Sequence, residues 1–201
     1  MESAAYWIAL LTVVLFLPVL SVWFIIHPFI RTWRLLGTAK TYLIVLAIVL
    51  AMMTALFLVR EPVLALRFGP RRDFAIAGGL LLAASLAIGI AMKRRLPIAT
   101  LIGIPEVSPP AAGGALITEG IYSHLRHPRY VQVMLGLAGF ALFTNYLALY
   151  ALLAICTPLI YLVVLLEERE LRHRFGEDYE RYCRDVPRFL PRLLRRRPPR
   201  T

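Results

Sequence analysis

The chain has 201 residues, of which 59% are hydrophobic, and a formal net charge of +11. In soluble globular domains the apolar fraction is nearer one half. This chain is therefore more hydrophobic than such a domain, and its mean hydropathy is +0.69. Two cysteines, Cys156 and Cys183, do not support a disulfide-based fold, and no recognition motif accompanies the basic residues to indicate nucleic-acid binding.

Four stretches without Asp, Glu, Lys or Arg predict the membrane-spanning helices. They are residues 3–30, 41–59, 74–92 and 130–166, with 28, 19, 19 and 37 residues. About 20 apolar residues cross the bilayer core, so the first three stretches suit one helix each and the fourth suits two. The expected break is at residues 143–146, where Thr144 and Asn145 favour a turn. We therefore predict an all-α integral membrane protein with five transmembrane helices, the last two forming a helical hairpin.

The N-terminal stretch could also be read as a cleaved signal peptide. However, Glu2 is the only early charge, and the apolar stretch is long for a signal. We therefore expect a retained span, with residues 27–28 at its interfacial end.

The basic residues between the spans predict the orientation of the chain in a plasma membrane. Nineteen of the 23 Lys and Arg residues fall on one side if the N-terminus is outside and the C-terminus is cytoplasmic. The exceptions lie in one short outer segment and are Arg60, Arg67, Arg71 and Arg72. We expect the basic cytoplasmic surface to attract anionic membrane lipids.

Polar chemistry is concentrated in the second half of the chain. Residues 1–96 contain three spans with few polar groups, whereas residues 97–201 carry nearly all of the candidate functional side chains. Residues 105–114 contain three prolines and two glycines and predict a loop.

A polar motif, "EGIYSHLRHPRY" (residues 119–130), comes directly before the fourth span. Pro128 restricts His127 to extended or turn geometry, and proline suits the first turn of a helix, so the helix should begin near Pro128. Arg126, Arg129 and Tyr130 would then lie with His127 at the cytoplasmic mouth of the span, where free backbone N–H groups can bind a carboxylate. An interfacial anchor of arginines and tyrosine is the alternative.

A second polar group follows the last span. Glu167 and Glu168 come directly after the apolar residues, and a hairpin would bring them close to residues 126–130. A carboxylate at the bilayer edge is costly unless it is paired, so we expect an arginine or a bound cation beside it.

The last helix should continue beyond the membrane to Gly176, a plausible C-terminal cap. A short helix should follow, because Glu177 and Asp178 suit a helix start. An apolar face at helical spacing is formed by Phe175, Tyr179, Tyr182 and Val186, and it indicates packing more than ligand contact. Cys183 lacks a nucleophile signature and is interpreted as a semi-buried residue.

These two motifs resemble the isoprenylcysteine carboxyl methyltransferase family and its bacterial and archaeal relatives, including phospholipid methyltransferase-like proteins. The similarity covers roughly residues 114–191. The matching positions are Gly120, Tyr122, Arg126, His127, Pro128, Tyr130, Glu167, Glu168, Leu171, Phe175, Gly176, Tyr179, Tyr182, Val186, Arg188 and Pro191.

The resemblance implies an integral-membrane enzyme that uses S-adenosylmethionine, with a cytoplasmic C-terminal helical segment closing the cofactor pocket. A lipophilic small molecule or lipid would enter from the bilayer as the methyl acceptor. The implied cofactor-binding residues are Ala115, Leu116, Ile117, Tyr122, His127, Pro128, Arg129, Tyr130 and Glu167. Glu168 or Tyr130 would be the catalytic base if the acceptor has to be deprotonated.

The residue types suit this cofactor. His127 and nearby backbone N–H groups can bind its carboxylate, and Glu167 can accept from its ammonium or ribose hydroxyls. Tyrosine rings can contact adenine or the sulfonium, a cation–π interaction of about 0.5–2 kcal/mol. We predict no metal site, since His124 and His127 lack an evident third ligand, and no GxGxxG fingerprint is present.

One position departs from the isoprenylcysteine enzymes, which carry an arginine one helical turn before the glutamates. Val163 occupies that position here, so the acceptor need not be a prenylcysteine carboxylate and could be a lipid amine, thiol, hydroxyl or small carboxylic acid. Two other classes are alternatives: an NADPH-dependent lipid reductase, for which the chain is short, and a non-enzymatic membrane carrier or assembly protein.

Overall fold

The computed structural model describes residues 2–26, 30–93 and 116–191. Several positions discussed above lie outside the described residues. They are residues 27–28, the boundary between residues 96 and 97, residues 105–114, Ala115, and residues 192–201.

The described residues are mostly helical. In chain order the helices are α1 (Glu2–Ile26), α2 (Ile30–Leu36), α3 (Thr38–Leu58), α4 (Arg60–Val63), α5 (Arg72–Lys93), a 3₁₀ helix (Gly120–Ser123), α6 (Pro128–Thr144), α7 (Leu147–Phe175) and α8 (Glu177–Asp185). The predicted all-α class is therefore confirmed.

Four of the described helices are long and apolar enough to cross a bilayer. These segments are Ala4–Ile26, Ala39–Leu58, Arg72–Lys93 and Leu147–Phe175. The remaining predicted span is α6, whose 17 residues are at the lower end of the range of about 17–25 residues that can cross the core. The count of five spans therefore stays a prediction. On α3 and α5, apolar side chains such as Leu46 and Leu80 face outward, as expected for helices in contact with lipid.

The predicted hairpin is formed by α6 and α7. Asn145 ends α6 in the left-handed conformation (φ 57°, ψ 40°), which a short polar side chain tolerates. Its side chain donates a hydrogen bond to the Gly69 carbonyl (2.8 Å) and accepts one from the Tyr150 hydroxyl (2.9 Å). This turn places the start of α6 and the end of the apolar part of α7 at the same end of the molecule.

Small residues bring α5 and α6 close together. A Cβ atom added at Gly78 would lie 2.7 Å from the Gly139 carbonyl oxygen. Farther along, the Ser85 hydroxyl donates a hydrogen bond to the Gln132 carbonyl (2.9 Å). Small residues allow this close backbone approach between membrane helices. Since the contacts run in opposite directions along the two helices, the end of α5 at Lys93 lies near the start of α6.

The main apolar core lies between α1, α6 and α7. Its fully or nearly fully buried side chains include Ala9, Leu137, Ala141, Leu149, Cys156 and Val164. Tyr130, in the first turn of α6, belongs to the same cluster, so the core extends up to the polar motif.

Candidate functional site

The polar motif is positioned by the start of α6 and by the returning C-terminal segment. Pro128 occupies the first turn of α6, as predicted, and His127 precedes it with non-helical geometry. The backbone N–H groups of Arg126 and His127 donate hydrogen bonds to the carbonyls of Pro187 (2.9 Å) and Arg188 (3.2 Å). These hydrogen bonds hold the residues that follow α8 against the N-terminal end of α6.

Glu168 lies at the centre of this arrangement and is fully buried. Around its carboxylate lie His127 Nε2 (3.1 Å), Arg126 Nη1 (2.9 Å), Arg188 Nε and Nη2 (2.9 and 2.7 Å) and Arg172 Nη2 (3.4 Å). The expectation of an arginine beside a glutamate in this motif is confirmed, with three arginines instead of one. A buried carboxylate needs such partners because its desolvation is otherwise very costly.

Glu167 has a different environment although it is the adjacent residue. Its side chain is about one-third exposed, and Oε2 lies 3.6 Å from Nδ1 of His127. That oxygen is buried and has no hydrogen-bond partner among the described residues. His127 therefore lies between the two glutamates, with one ring nitrogen towards each.

Two tyrosines flank the His127–Glu167 pair. The buried ring of Tyr130 is 5.9 Å from the His127 ring. Burial and the negative charge of Glu167 raise the pKa of Tyr122 to about 12, while Arg129 acts in the opposite direction. The Tyr122 phenol is therefore neutral near pH 7, and its ring is within electrostatic reach of both Glu167 and Arg129.

α8 covers this end of the molecule through its aromatic face. Tyr179, Tyr182 and Val186 are buried together, and Leu116 and Phe175 pack against them. The hydroxyl of Tyr182 donates a hydrogen bond to the Tyr122 carbonyl (2.6 Å). Burial also raises the pKa of Tyr179 and Tyr182. The face that the sequence predicted as packing is a packing surface.

The structure brings together most of the predicted site residues and separates a few. The first group, at one end of the α6–α7 hairpin, consists of Tyr122, His127, Pro128, Arg129, Tyr130, Glu167 and Glu168. Leu116 packs under α8, Ile117 is exposed, and Ala115 lies outside the described residues. His124 is engaged within its own turn, where Nδ1 lies 2.9 Å from the Ser123 hydroxyl. Within the described part of the chain, no group of three or more His, Cys, Asp and Glu residues could hold a metal ion.

Sequence reasoning expected an arginine beside the glutamates but did not identify which arginines would surround Glu168. Arg126 and Arg188 are part of the matched motifs, but they are separated by about sixty residues and nothing local links them to one carboxylate. The signal in the sequence for such partners is the free-energy cost of burying a carboxylate. A glutamate that directly follows an apolar helix requires cations from elsewhere in the chain.

An apolar groove of about 720 Å³ is lined by α1, α5, α6 and Ile160 of α7. It adjoins the polar cluster, by which we mean the group of predicted site residues at the end of the α6–α7 hairpin: Tyr122, His127, Pro128, Arg129, Tyr130, Glu167 and Glu168. Its lining includes Leu11, Leu15 and Val19 of α1, Gly89 of α5, and Val133 and Gly136 of α6. Arg129 and Tyr130 belong to both the groove and the polar cluster. The groove and the cluster are therefore adjacent parts of one region.

Two curated proteins are similar to part of the chain. The nickel-cobalt-cadmium resistance protein NccN of Alcaligenes xylosoxydans xylosoxydans is 38% identical over 78 residues, which are 39% of this chain and 37% of that protein. The cobalt-zinc-cadmium resistance protein CzcN of Cupriavidus metallidurans is 44% identical over 79 residues, 39% of this chain and 36% of that protein. The chain thus matches little more than a third of the length of these curated relatives, and no solved structure matches it.

The family comparison covers more of the chain. The family model described as phospholipid methyltransferase matches residues 74–178, which include most of α5, the start of α8, and the whole α6–α7 hairpin with His127, Glu167 and Glu168. Because this match spans more than half of the sequence, the chain belongs to the phospholipid methyltransferase family.

Proposed function

We propose that the protein is an integral-membrane methyltransferase that moves a methyl group from S-adenosylmethionine to a lipophilic acceptor. Membership of the family supports methyl transfer in a membrane in general. The observation that carries the cofactor assignment is the buried Oε2 atom of Glu167, which has no hydrogen-bond partner among the described residues. A buried polar atom without a partner is costly, and a bound donor would satisfy it.

The residues around Glu167 fit the chemical groups of this cofactor. Glu167 can accept a hydrogen bond from an ammonium or a ribose hydroxyl. Arg129, in the first turn of α6, suits a carboxylate through its positive charge and the favourable potential of the helix N-terminus. Tyr122 and Tyr130 provide aromatic faces beside these groups. When bound, S-adenosylmethionine would supply a methyl group activated by a sulfonium cation.

The chain would contribute mainly by positioning and by exclusion of water. Tyr130 lies where the polar cluster meets the apolar groove, so it can contact both the cofactor region and an acceptor. α8 and Leu116 cover the cluster from the other side, consistent with a C-terminal segment that closes the pocket. We propose Tyr130 as the remaining candidate for proton removal from the acceptor, because both oxygens of Glu168, the other candidate, are already paired with arginine.

Glu168 suits a positioning role better than a role as a base. Both of its oxygens are paired with arginine, and Oε1 also accepts from His127. A general base needs a lone pair available to the substrate. We therefore propose that Glu168 holds the start of α6 and the C-terminal segment together, which orients His127.

Isothermal titration calorimetry in detergent tests the cofactor assignment with S-adenosylhomocysteine and, separately, with NADPH. We expect the wild type to bind S-adenosylhomocysteine and to give no signal with NADPH. Glu167→Gln should weaken binding by roughly tenfold, the loss expected for one charge-assisted hydrogen bond. Glu177→Gln, the same substitution at an exposed position in α8, should leave binding unchanged.

Two results would contradict the proposal. Binding of NADPH alone would favour the reductase alternative. Equal affinity of the wild type and Glu167→Gln for S-adenosylhomocysteine would show that Glu167 is not part of the cofactor site.

A further inference from the structure

We propose that Cys183 is a site of reversible oxidation by hydroperoxides, and that Arg126 and Tyr179 bind the sulfenate that forms. Oxidation would draw Arg126 away from Glu168 and thereby weaken the binding of the cofactor. The effect on the cofactor rests on the proposed function, whereas the oxidation itself does not depend on it. The inference adds a modification site to α8 and a means of regulating the site beneath it.

The sulfur of Cys183 lies in a positively charged and partly accessible position. The Nη1 atom of Arg126 lies 2.7 Å from the sulfur, and Arg172 is within electrostatic reach of it. The Cys183 side chain is half-buried, whereas Cys156 is fully buried in the apolar core. Reactive cysteines occupy electropositive, partly exposed surroundings, and cysteines buried among apolar side chains are inert. Cys183 therefore has the surroundings of a reactive thiol, which its neighbours in sequence do not indicate because Arg126 comes from a distant segment.

Two polar atoms close to Cys183 have no hydrogen-bond partner. Tyr179 is 1% exposed, and its hydroxyl has no partner among the described residues. The Nε atom of Arg126 is likewise buried and unpartnered within that part of the chain. Tyr179 and Cys183 are four residues apart on one face of α8 and pack in the same cluster, and both Cys183 and Arg126 are within electrostatic reach of the hydroxyl. An oxygen atom on the sulfur would offer these costly unpaired donors an acceptor.

The reaction requires a hydroperoxide and no other reactant. The sulfur of Cys183 attacks one peroxide oxygen, so that an S–O bond forms while the O–O bond breaks. The sulfur loses two electrons, and the other peroxide oxygen leaves with the thiol proton, as water when the oxidant is hydrogen peroxide. The product is a sulfenic acid, which thiols can reduce again. Its ionised oxygen is complementary in charge to the two neighbouring arginines.

Arg126 connects Cys183 to the carboxylate that orients His127. Its Nη1 atom lies 2.7 Å from the Cys183 sulfur and also 2.9 Å from Oε1 of Glu168. A sulfenate would compete with Glu168 for this nitrogen, because hydrogen bonds between ionised groups are stronger than those of a neutral thiol. The same Oε1 atom accepts a hydrogen bond from His127. Oxidation should therefore disturb the position of His127 and reduce the affinity for the cofactor.

Oxidation kinetics of the full chain in detergent test the modification. The protein is treated with hydrogen peroxide, catalase stops the reaction, and the thiols that remain are alkylated after denaturation and counted at each cysteine by peptide mass spectrometry. We expect Cys183 to be oxidised about threefold faster or more in the folded protein than in the same protein denatured in SDS, because unfolding removes the arginines from the sulfur. Cys156 should show the reverse. Dimedone, a probe for sulfenic acids, should label Cys183.

A rate for Cys183 that is equal or lower in the folded protein would overturn the modification site. Such a result is what a half-buried thiol without special surroundings would give, since folding then only restricts access to it. Absence of dimedone labelling at Cys183 would overturn the sulfenate as the product.

Tyr179→Phe tests the binding of the sulfenate oxygen, because this substitution removes only the hydroxyl. The oxidation rate of Cys183 should fall by about two- to tenfold, which corresponds to one hydrogen bond. Tyr182→Phe is the matched control on the same helix, since the Tyr182 hydroxyl donates to the Tyr122 carbonyl instead, and it should not lower the rate. Equal rates in Tyr179→Phe and the wild type would overturn the role of Tyr179.

Calorimetry with S-adenosylhomocysteine measures the coupling to the cofactor. Peroxide should weaken binding to the wild type by about threefold or more, the effect of one weakened hydrogen bond, and dithiothreitol should restore it. Cys183→Ser should have the same affinity with and without peroxide, which also controls for methionine oxidation. Cys156→Ala should respond to peroxide like the wild type. Unchanged affinity of a wild type in which Cys183 is fully oxidised would overturn the coupling.

Thermal unfolding separates this inference from the proposed function. Oxidation should lower the unfolding temperature of the wild type but not of Cys183→Ser, because Glu168 loses part of its pairing with Arg126. If the wild type shows this shift and the oxidation of Cys183 but does not bind S-adenosylhomocysteine, the methyltransferase proposal fails and the oxidation site stands. If it binds S-adenosylhomocysteine but Cys183 is not oxidised faster when folded, the oxidation inference fails alone.

Discussion

At the scale of single residues, Glu167 and Glu168 illustrate what sequence can and cannot predict. Both follow the apolar part of α7, and the sequence predicts that a carboxylate there is paired. It does not predict which one is enclosed, because adjacent residues in a helix point about 100° apart. Contacts with Arg126 and Arg188, distant in sequence, enclose Glu168, while Oε2 of Glu167 has no hydrogen-bond partner among the described residues.

This difference predicts that the same substitution destabilises the protein strongly at Glu168 and only slightly at Glu167. Glu168→Gln leaves three arginines and His127 around a neutral amide, and removal of one partner from a buried ion pair costs about 3–5 kcal/mol. For a chain of this length, that lowers the unfolding temperature by roughly 6–20 °C. Glu167→Gln should shift it far less, because its partly exposed carboxylate has no arginine partner in the described network. Thermal unfolding in detergent measures both, and equal stability of the two variants would contradict the assignment.

Tyr122 predicts a dependence of stability on alkaline pH. A tyrosine in the unfolded chain ionises near its ordinary pKa of about 10, whereas the folded protein raises the pKa of Tyr122 to about 12. The stabilisation from the neutral phenol is therefore complete below about pH 10 and is lost as the pH rises towards about 12.

Tyr122→Phe should lose less stability over this interval than the wild type. Tyr179 and Tyr182, whose pKa values are also raised, are present in both proteins. The measurement is the unfolding temperature at several pH values across the interval. Parallel curves for the two proteins would show that Tyr122 ionises as freely in the folded state as in the unfolded chain.

At the scale of helices, local signals predicted the boundaries but not the partners. Pro128, Asn145 and Gly176 mark the start of α6, its end and the end of α7, as the sequence predicted. The close pairing of α5 with α6 was not predicted. Helices that are apolar on all sides carry no amphipathic pattern to indicate the buried face, and only the structure shows that Gly78 faces a backbone.

The contact between α5 and α6 predicts a sharp difference between two adjacent glycines. In Gly78→Ala the new Cβ would lie 2.7 Å from the Gly139 carbonyl oxygen and 2.9 Å from the Phe143 nitrogen. The contacted backbone atoms cannot move away unless the two helices separate. We therefore expect Gly78→Ala to lower the free energy of unfolding by about 1–3 kcal/mol, as overpacking typically does.

Gly79→Ala is the matched control, because no atom lies within 4 Å of its added Cβ. Its stability should equal that of the wild type or exceed it slightly, since alanine favours the helix by up to about 1 kcal/mol. Unfolding temperatures in the same detergent compare the two variants. A loss of stability in Gly79→Ala as large as that in Gly78→Ala would contradict the packing of α5 against α6.

At the scale of the whole molecule, two of the four arginines that disagree with the predicted orientation, Arg67 and Arg71, have partners close by. Arg67 donates a hydrogen bond from Nε to the Thr144 carbonyl (3.2 Å). Arg71 pairs with Asp73, whose proximity raises the pKa of Arg71. Arg67 thereby ties the loop before α5 to the α6–α7 turn, and Arg71 is neutralised by an acidic neighbour. The positive charge of both residues has a structural reason on that side and does not argue against the orientation.

The orientation itself can be tested with one exposed leucine from each end of the molecule. We expect residue 35, in α2, on the cytoplasmic side with the polar cluster, and residue 66, in the loop before α5, on the outside. Leu35→Cys and Leu66→Cys leave the charge distribution unchanged, and both side chains are exposed (88% and 61%). A membrane-impermeant maleimide applied to intact cells should label Leu66→Cys only.

Permeabilisation should then expose Leu35→Cys to the reagent. The wild type is the control, because Cys156 is buried and Cys183 is half-buried and lies beside Arg126 at the polar cluster. Labelling of Leu35→Cys but not Leu66→Cys in intact cells would reverse the orientation. The polar cluster would then face away from the cytoplasm, where S-adenosylmethionine would have to be supplied across the membrane, so the sidedness measurement also tests the proposed cofactor.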